Sequence, residues 1–244
     1  MTESNAGNDI NDPKMPLMLH LIELRKRMMI SAGAVIVLFL VAFGFSDEIL
    51  AFIQGPVLAH VGALQFDTLT DPFFTHLKAS FFAALFVGFP IILSQIWMFV
   101  RPGLYKREKL VMWPFMLLSF PLFVGGGTFL YYIVYPYAIE FLVNYDKTLV
   151  PSLRVGDYLS FTVRLLIVFG LVFELPLISL FLTRMGMITH KFLIRGRRYA
   201  IVIIFLFAAV FTPPDVFTQV LLGVPVIILY EISIIVSYLA RKRE

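Results

Sequence analysis

The sequence predicts an all-α polytopic membrane protein with six transmembrane helices, of which the last two are short, and with both termini cytoplasmic. Of its 244 residues, 59% are hydrophobic and 15% are charged, whereas a soluble domain of this size is about half apolar and a quarter charged. Several apolar runs approach or exceed the roughly 18 residues that mark a spanning helix. Basic and base-poor connections alternate between these runs, as the positive-inside rule predicts for a polytopic protein.

Six apolar segments are interpreted as the spans, and together they form one membrane domain over residues 15–240. We expect residues 1–14, which are polar, to be a disordered cytoplasmic N-terminus, and residues 241–244 to be a basic cytoplasmic tail. No cleavage site follows a short apolar core near the start, so the first span is expected to be an uncleaved anchor. The spans cover about residues 28–45, 76–99, 111–134, 158–183, 198–212 and 216–239.

The charges between the spans assign the two sides of the membrane. Residues 28–77 contain no Lys or Arg, and the later connection 135–157 contains only Lys147 and Arg154. The other connections and the two ends are rich in base, and this predicts that they are cytoplasmic. These basic clusters are RKR (25–27), RPGLYKREK (101–109), TRMGMITHKFLIRGRR (183–198) and RKR (241–243).

The two external loops are expected to cover the bundle. The first is long and reads as short amphipathic helices with a turn at QGPV, around Gly55 and Pro56. The second contains YPYAIEFLV (135–143), which is suited to lie along the membrane interface. No internal repeat is apparent.

The last two spans form a short hairpin. The apolar run Tyr199–Phe211 is about 20 Å long as a helix, whereas the hydrocarbon core is about 30 Å thick. Either the hairpin is tilted and buried in protein, or it thins the membrane where a large cargo crosses.

Polar groups within the spans are candidate functional residues, because they are costly in lipid. Glu174 lies in the fourth span, two residues before Pro176, which favours a bend. The acid either lines a concave pocket or makes an interhelical hydrogen bond. Gln219 and Glu231 in the last span are further candidates, and we expect Glu231 to pair with basic residues of the inner leaflet.

Three other charged residues have simple structural interpretations. Asp215 opens the last helix and is expected to be its N-cap, with a separate functional role as the alternative. Lys78 and Arg164 lie near the external ends of their spans and are expected to extend toward the headgroups.

The cytoplasmic segments outside the membrane contain just two acids, apart from those in residues 1–14 and the final residue. They are Glu23, in HLIELRKR (20–27), and Glu108, in LYKREKL (104–110). One interpretation is local salt bridging, for example from Glu23 to Arg27, which is worth about 0.3–0.5 kcal/mol. The other is a site for a guanidinium ligand, which carboxylates accept bidentately.

Several other functions are disfavoured by the sequence. The chain has no cysteine, and its four histidines are too far apart to show metal-ligand spacing, so neither a metal nor a cofactor is expected. No HExxH, GxSxG or paired-aspartate signature suggests an enzyme. A proton-coupled secondary transporter that uses Glu174 and Glu231 is the alternative, although no inverted repeat is visible.

Four motifs occur in an order that resembles one known family. They are HLIELRKR (20–27), FVRPGLYKREK (99–109), FGLVFELP (169–176) and TPPDVFTQ (212–219). Together with the span pattern they resemble TatC, the multispanning subunit of the twin-arginine protein translocase, from about Pro16 to Ala240.

The resemblance implies a six-helix bundle with a cupped, concave shape, and a receptor for the twin-arginine signal peptides of folded proteins. It implies the single-span partners TatA and TatB, transport driven by the proton-motive force, self-association in a larger complex, and contact with membrane lipids but not with nucleic acid. The absence of a transit peptide favours the plasma (inner) membrane of a bacterium.

The resemblance also implies roles for individual residues. Signal-peptide recognition would involve Glu23, Arg25, Phe99, Pro102 and Glu108. The residues implied in the external loop, the membrane interior and the last hairpin are Pro56, Glu174, Asp215 and Gln219. The sequence departs from the family pattern at Leu110, where some relatives carry a basic residue, and at Arg101 and Arg107, so Leu110 receives no role.

Overall fold

The computed structural model describes residues 17–100, 106–145, 153–212 and 215–240, with side chains from residue 18 in the first range and from residue 114 in the second. The expected disordered N-terminus and basic tail lie outside these residues. The described chain is almost entirely helical. Its elements are α1 (Leu17–Gly44), α2 (Ser46–Val61), α3 (Asp71–Val100), α4 (Lys106–Phe129), a π-helical turn (Leu130–Val134), α5 (Tyr135–Asn144), α6 (Val155–Phe173), α7 (Leu175–Arg184), α8 (His190–Phe211) and α9 (Val216–Ala240).

Five helical segments within the described residues are long and apolar enough to cross a membrane. The region of the predicted fifth span, at 198–212, is not among them, because α8 begins with basic residues and only its second half is apolar. This agrees with an apolar run that is shorter than the hydrocarbon core. The five segments are Met18–Gly44, Asp71–Val100, Pro114–Asn144, Val155–Arg184 and Val216–Ala240.

Helix α1 begins about ten residues before the predicted first span and includes the whole motif HLIELRKR. Its residues are good helix formers, such as Leu, Glu, Arg and Lys, so the helix continues into the polar segment. Glu23 is therefore held on a rigid helix rather than on a loop.

The predicted turn at QGPV is wrong, because α2 is one helix in which Pro56 lies in the interior. A proline inside a helix removes one hydrogen bond, but here the side chains on either side of it compensate. Ile53 and Val57, one turn apart, are buried in the main core. Their burial stabilises a continuous helix through Gly55 and Pro56.

The third span is also longer than predicted. Helix α4 continues through the π-helical turn directly into α5, so the segment YPYAIEFLV is a helical extension of the span. Tyr135, Ala138 and Ile139 on its inner face are buried. This packing holds the segment against the main core of the bundle.

The packing of the spans follows the chain closely. Helix α1 packs along α3, α4 along α6, and both α7 and α8 along α9. Small polar residues join α7 to α9, since Ser179 donates to the Ser233 carbonyl at 3.2 Å and the hydroxyls of Thr183 and Ser237 lie 2.7 Å apart. Such hydrogen bonds support helix association in lipid.

Helices α2 and α5, together with residues 62–70 and 153–154, lie at one end of the bundle, and we call them the cap. Gln65 and Arg154 form an isolated parallel β-bridge, with the Gln65 amide donating to Leu153 O and the Val155 amide to Gln65 O, both at 2.9 Å. Arg154 also pairs with Asp67 at 2.9 Å. The main core lies beneath the cap and includes Leu130 and Leu159.

Candidate functional site

The acid of the first motif lies at the contact between α1 and α3. Arg27 donates from Nη2 to Glu23 Oε1 at 3.2 Å, so the predicted i,i+4 salt bridge is confirmed. The same guanidinium donates from Nη1 to Gln95 Oε1 at 3.3 Å and lies 3.4 Å from Met98 Sδ. Only 19% of the Glu23 side chain and 23% of the Arg27 side chain are exposed. The pair is therefore partly shielded from water, and its charges interact more strongly than on an open surface.

This arrangement leaves part of each side chain unused. Glu23 accepts from Arg27 through Oε1, and within the described residues nothing donates to Oε2. Arg27 Nε is buried and likewise has no acceptor in the described part of the chain. The carboxylate is thus able to accept a further donor without losing its present one.

The other residues implied for the site surround this pair in part. The Phe99 ring stacks on His20 with centroids 4.2 Å apart, which brings the end of α3 against the start of the motif on α1. Arg25 is exposed, and as the second residue after Glu23 it faces another side of α1. The structure therefore places Phe99 against His20, one turn before Glu23 on α1, and leaves Arg25 exposed.

Glu108 lies in the first turn of α4, two residues after Lys106, with which the helix begins. Helix α4 is the next helix after α3 in the chain. Its backbone is therefore at the same end of the molecule as Phe99, although its side chain lies outside the described residues. Pro102 and Arg101 also lie outside them. The structure thus gives Glu108 a helical position but no contacts.

Sequence reasoning missed two polar residues of α3. Gln95 is buried and accepts from Arg27, and the indole Nε1 of Trp97 is buried without an acceptor among the described residues. An amide within the apolar run 81–100 was a usable signal, because a polar side chain in a span needs a partner. Its partner was not predictable, since Arg27 lies 68 residues earlier.

The intramembrane acid Glu174 lies where the fourth span is interrupted. Helix α6 ends at Phe173 and α7 begins at Leu175, which fits the break expected from Pro176. Glu174 is buried and accepts from the Ser119 hydroxyl of α4 through Oε2, while Oε1 is buried without a donor among the described residues. Of the two interpretations of Glu174, a pocket lining or an interhelical hydrogen bond, the hydrogen bond is therefore present. Glu174 does not line the apolar cavity between α2, α3 and α6.

An apolar cavity of about 400 Å³ lies beneath the cap. It lies between α2, α3, α4 with the π-helical turn, and α6. Its lining includes the aromatic side chains of Phe52, Phe82 and Tyr131.

Pro56 acts on this region through its missing N–H. In a regular helix residue 56 would donate to the carbonyl of Phe52, four residues earlier, and proline cannot. The Tyr131 hydroxyl, from the π-helical turn, donates to Phe52 O instead, and the Phe52 and Tyr131 rings stack with centroids 4.5 Å apart. The next carbonyl, Ile53 O, accepts from the Tyr158 hydroxyl at 2.7 Å. Pro56 thus exposes a backbone acceptor through which α2 is fastened to the bundle.

Replacing Tyr131 with Phe should therefore loosen α2. The substitution removes one hydrogen bond and leaves a part-buried carbonyl unpaired, at a cost of about 1 kcal/mol, or about 2–4 °C in the melting temperature of a chain of this size. The matched control is Tyr132→Phe, because Tyr132 is 64% exposed. Thermal unfolding in detergent measures both variants, and equal melting temperatures for the two would contradict the proposed role of Tyr131.

The polar residues of the last hairpin have structural partners. Asp215 accepts from the Thr218 amide at 2.7 Å and from the Thr218 hydroxyl, so the predicted N-cap of α9 is confirmed. Gln219 donates from Nε2 to the Phe205 carbonyl at 2.9 Å, which joins α9 to α8. Both residues therefore fix the geometry of the hairpin.

Glu231 pairs with Arg197 at 2.6 Å, as expected from the basic residues near it. An acid committed to this salt bridge is a poor proton carrier, which removes one of the two carriers that a proton-coupled transporter would use. Of the two acids, only Glu174 has no salt-bridge partner among the described residues.

Comparisons with known proteins agree with this architecture. The family model described as "Sec-independent protein translocase protein (TatC)" matches residues 19–225. A TatC protein of Magnetococcus marinus is 42% identical over 229 residues, covering 91% of this chain and 84% of the relative. The TatCy protein of Bacillus subtilis is 36% identical over 232 residues, covering 94% and 91%.

Solved structures give the same result. A crystal structure of the twin-arginine translocase receptor TatC matches with a TM-score of 0.81 and 38% identity, covering 91% of this chain and 99% of that one. A second crystal structure of the receptor, in DDM, matches with a TM-score of 0.82, also at 38% identity. The match to the family model, the identity over nearly the whole chain and the shared fold establish that this chain is a member of the TatC family of protein translocase components.

Proposed function

We propose that this chain is the receptor and core subunit of a twin-arginine translocase in a bacterial inner membrane, and that it binds the twin-arginine signal peptides of folded proteins. In this proposal both termini and the basic loops are cytoplasmic, and the apolar half of α8 is the fifth and shortest of the six spans of a cupped bundle. The family and the five apolar helices support the proposal. The alternating distribution of Lys and Arg supports the orientation.

The observation that carries the proposal is the contact between Glu23 and Arg27. A guanidinium from the chain itself already lies on this carboxylate, at 3.2 Å. An exposed i,i+4 pair is worth about 0.3–0.5 kcal/mol, and this partly shielded pair is stronger but uses a single hydrogen bond, so a signal arginine that binds bidentately can displace it or add to it. Arg27 therefore holds one carboxylate oxygen in the resting receptor, and Oε2 is left for a signal arginine.

The second arginine is assigned to Glu108. Its position in the first turn of α4, at the end of the molecule where α3 ends, supports a second carboxylate near the first. The Phe99 ring, which stacks on His20 one turn before Glu23, offers an apolar wall at the start of the motif. Pro102 is assigned to the same site from the family motif. Arg25, which is exposed, contributes by holding headgroups or by biasing which cationic ligands bind.

The residues further into the membrane act after recognition. We assign Glu174 to the path of the signal's apolar segment or of a partner helix, because one of its carboxyl oxygens is buried and unpaired among the described residues. Pro56 fastens the cap over this path. Asp215 and Gln219 hold the short hairpin, whose apolar run of about 20 Å favours local thinning of the membrane during transport.

The partners in this proposal are single-span subunits of the TatA and TatB type, other copies of this chain, and lipids, and the proton-motive force drives transport. No metal or cofactor takes part. The carboxylates of Glu23 and Glu108 bind arginine through charge and hydrogen-bond geometry, without a cofactor.

Crosslinking tests the proposal with the purified chain in lipid nanodiscs. A photoreactive twin-arginine signal peptide is compared with its twin-lysine counterpart on the native chain, Glu23→Ala and Glu108→Ala. We expect the native chain to prefer arginine and either substitution to abolish the preference, since an ammonium cannot reproduce the bidentate geometry of a guanidinium.

Glu231→Ala is the matched control, because it also removes an acid that is paired with an arginine, but in the last hairpin. It should keep the arginine preference of the native chain. Full binding and full arginine preference in both Glu23→Ala and Glu108→Ala would show that the receptor site lies elsewhere.

A further inference from the structure

Two cations share a cleft between α3 and α6 at the cap end of the bundle. The cleft measures about 360 Å³ and is lined by Leu77, Lys78, Phe81, Phe82, Ser160 and Arg164. Lys78 and Arg164 come from different helices, and both are exposed. Separate extension toward the headgroups explains each residue alone, but it does not explain why they line the same cleft.

No acid within the described residues neutralises these cations. No acid within the described residues lies within 4 Å of either cation, and two acids of the same end have other partners: Asp71 accepts from Thr68, and Asp47 lies 3.5 Å from His76. The Ser160 hydroxyl donates to Gly156 O at 2.7 Å, so it offers no donor to a ligand. Two like charges in one cleft repel each other, and an anion supplied from outside would relieve that repulsion.

The depth of the cleft limits the source of this anion. Helix α3 has 30 residues and is about 45 Å long, which exceeds the hydrocarbon thickness of about 30 Å. Lys78 lies about 10 Å from the start of α3, and Arg164 about 14 Å from the start of α6. Both cations are therefore near the boundary between headgroups and hydrocarbon, where the phosphates of lipids are concentrated.

The walls of the cleft match the rest of a lipid. Leu77, Phe81 and Phe82 form an apolar surface beside the cations. We propose that this cleft binds one anionic phospholipid from the leaflet on the cap side, with its phosphate between Lys78 and Arg164 and an acyl chain against these three side chains. An arginine and a lysine together suit a phosphate, because the guanidinium binds two oxygens and the ammonium adds a point charge.

A bound lipid at this place has a structural consequence. It adds a further link between α3 and α6, which already pack against each other. This inference does not depend on the signal-peptide receptor proposed above, because Lys78 lies at the opposite end of α3 from Gln95 and Phe99, and Arg164 lines the same cleft as Lys78.

Native mass spectrometry tests the proposal on the full-length chain after removal of its lipids in detergent. Phosphatidylglycerol is titrated onto the native chain, Lys78→Gln, Arg164→Gln, the double variant and Arg164→Lys. We expect the phosphatidylglycerol molecule that binds the native chain with the highest affinity to bind at least about fivefold more weakly to each Gln variant. Its affinity for the double variant should be lower still. Arg164→Lys should retain an intermediate affinity, and diacylglycerol with the same acyl chains should not bind at this site.

Three outcomes would overturn the proposal. The first is unchanged phosphatidylglycerol binding in the double variant. The second is an equal loss of phosphatidylglycerol affinity in the charge control Lys191→Gln on α8. The third is complete displacement of the lipid by about 10 mM inorganic phosphate, a large excess over the lipid, which would indicate a site for free anions. A second measurement needs no variant. Photoreactive phosphatidylglycerol added to the native chain should label peptides that contain residues 77–82 or 160–164, and labelling only at other places would contradict the assignment.

Discussion

Reversing the charge at Glu23, by Glu23→Arg, should stop export of twin-arginine precursors almost completely. Opposite charges 4 Å apart attract by about 4 kcal/mol at an effective dielectric constant near 20, and the reversal turns this attraction into repulsion. Because each 1.4 kcal/mol is a factor of ten in affinity, signal-peptide binding should fall by more than about 100-fold. Export of a reporter enzyme in cells and binding of a fluorescent signal peptide in nanodiscs measure the two effects.

A graded series separates charge from shape at this position. Glu23→Gln keeps the size of the side chain and one carbonyl acceptor, so we expect an affinity between those of the native chain and Glu23→Arg. Glu231→Arg inverts an acid that is also paired with an arginine, but outside the proposed site, and it should bind signal peptide like the native chain. If Glu23→Arg exports normally, or if Glu231→Arg loses peptide binding to the same extent, the carboxylate of Glu23 is not the receptor group.

Arg27 affects how the Glu23→Arg variant folds. In Glu23→Arg the new guanidinium would face Arg27, which is also held by Gln95 and Met98 of α3. Repulsion would move the new side chain toward water rather than unfold the helix, since α1 is mostly exposed on its other faces. Size-exclusion chromatography should therefore give the native profile, so that loss of binding is assigned to charge.

The contacts that the sequence predicted correctly are those in which charge or spacing leaves few alternatives. Asp215 and Thr218 are three residues apart at a helix start, and Glu23 and Arg27 are four apart on one helix, so local geometry decides both. Glu231 and Arg197 are 34 residues apart, but they belong to consecutive helices of one hairpin. An acid near a basic loop has few other partners.

The contacts that were missed join distant segments through side chains that carry no special signal. Tyr131 is one of ten tyrosines, and its bond to Phe52 O spans 79 residues. The turn expected at Gly55 and Pro56 was wrong for the same reason. Local propensity favours a turn there, but burial of neighbouring residues and the Tyr131 hydroxyl together stabilise a helix, and these depend on the packing of the whole bundle.

The glycines of VGGGT (124–128) illustrate why packing has to be seen rather than inferred. All three lie in α4 and look equivalent in sequence, yet their surroundings differ. A Cβ on Gly125 would meet nothing within 4 Å, whereas one on Gly126 would lie 2.5 Å from Phe169 O and 2.9 Å from Phe173 Cγ. Gly126 therefore lets the backbone of α4 approach that of α6, as in other helix pairs that approach at small residues, and Gly170 of α6 likewise leaves room for the Phe123 ring of α4.

Replacing Gly126 with Ala should destabilise the fold by about 1–3 kcal/mol, because the added methyl group must push α4 away from the backbone of α6 and overpacking of this kind is costly. Ser119 is seven residues earlier on the same helix, and its hydroxyl donates to Glu174 at the end of α6. The displacement should therefore also weaken this interhelical hydrogen bond and reduce export. Gly125→Ala is the matched control: the same methyl group enters open space, and alanine favours the helix by up to about 1 kcal/mol. Thermal unfolding in detergent should thus show Gly126→Ala below the native chain and Gly125→Ala at or above it. Equal melting temperatures for the two variants would mean that α4 and α6 are farther apart in the membrane than the contact of Gly126 with Phe169 requires.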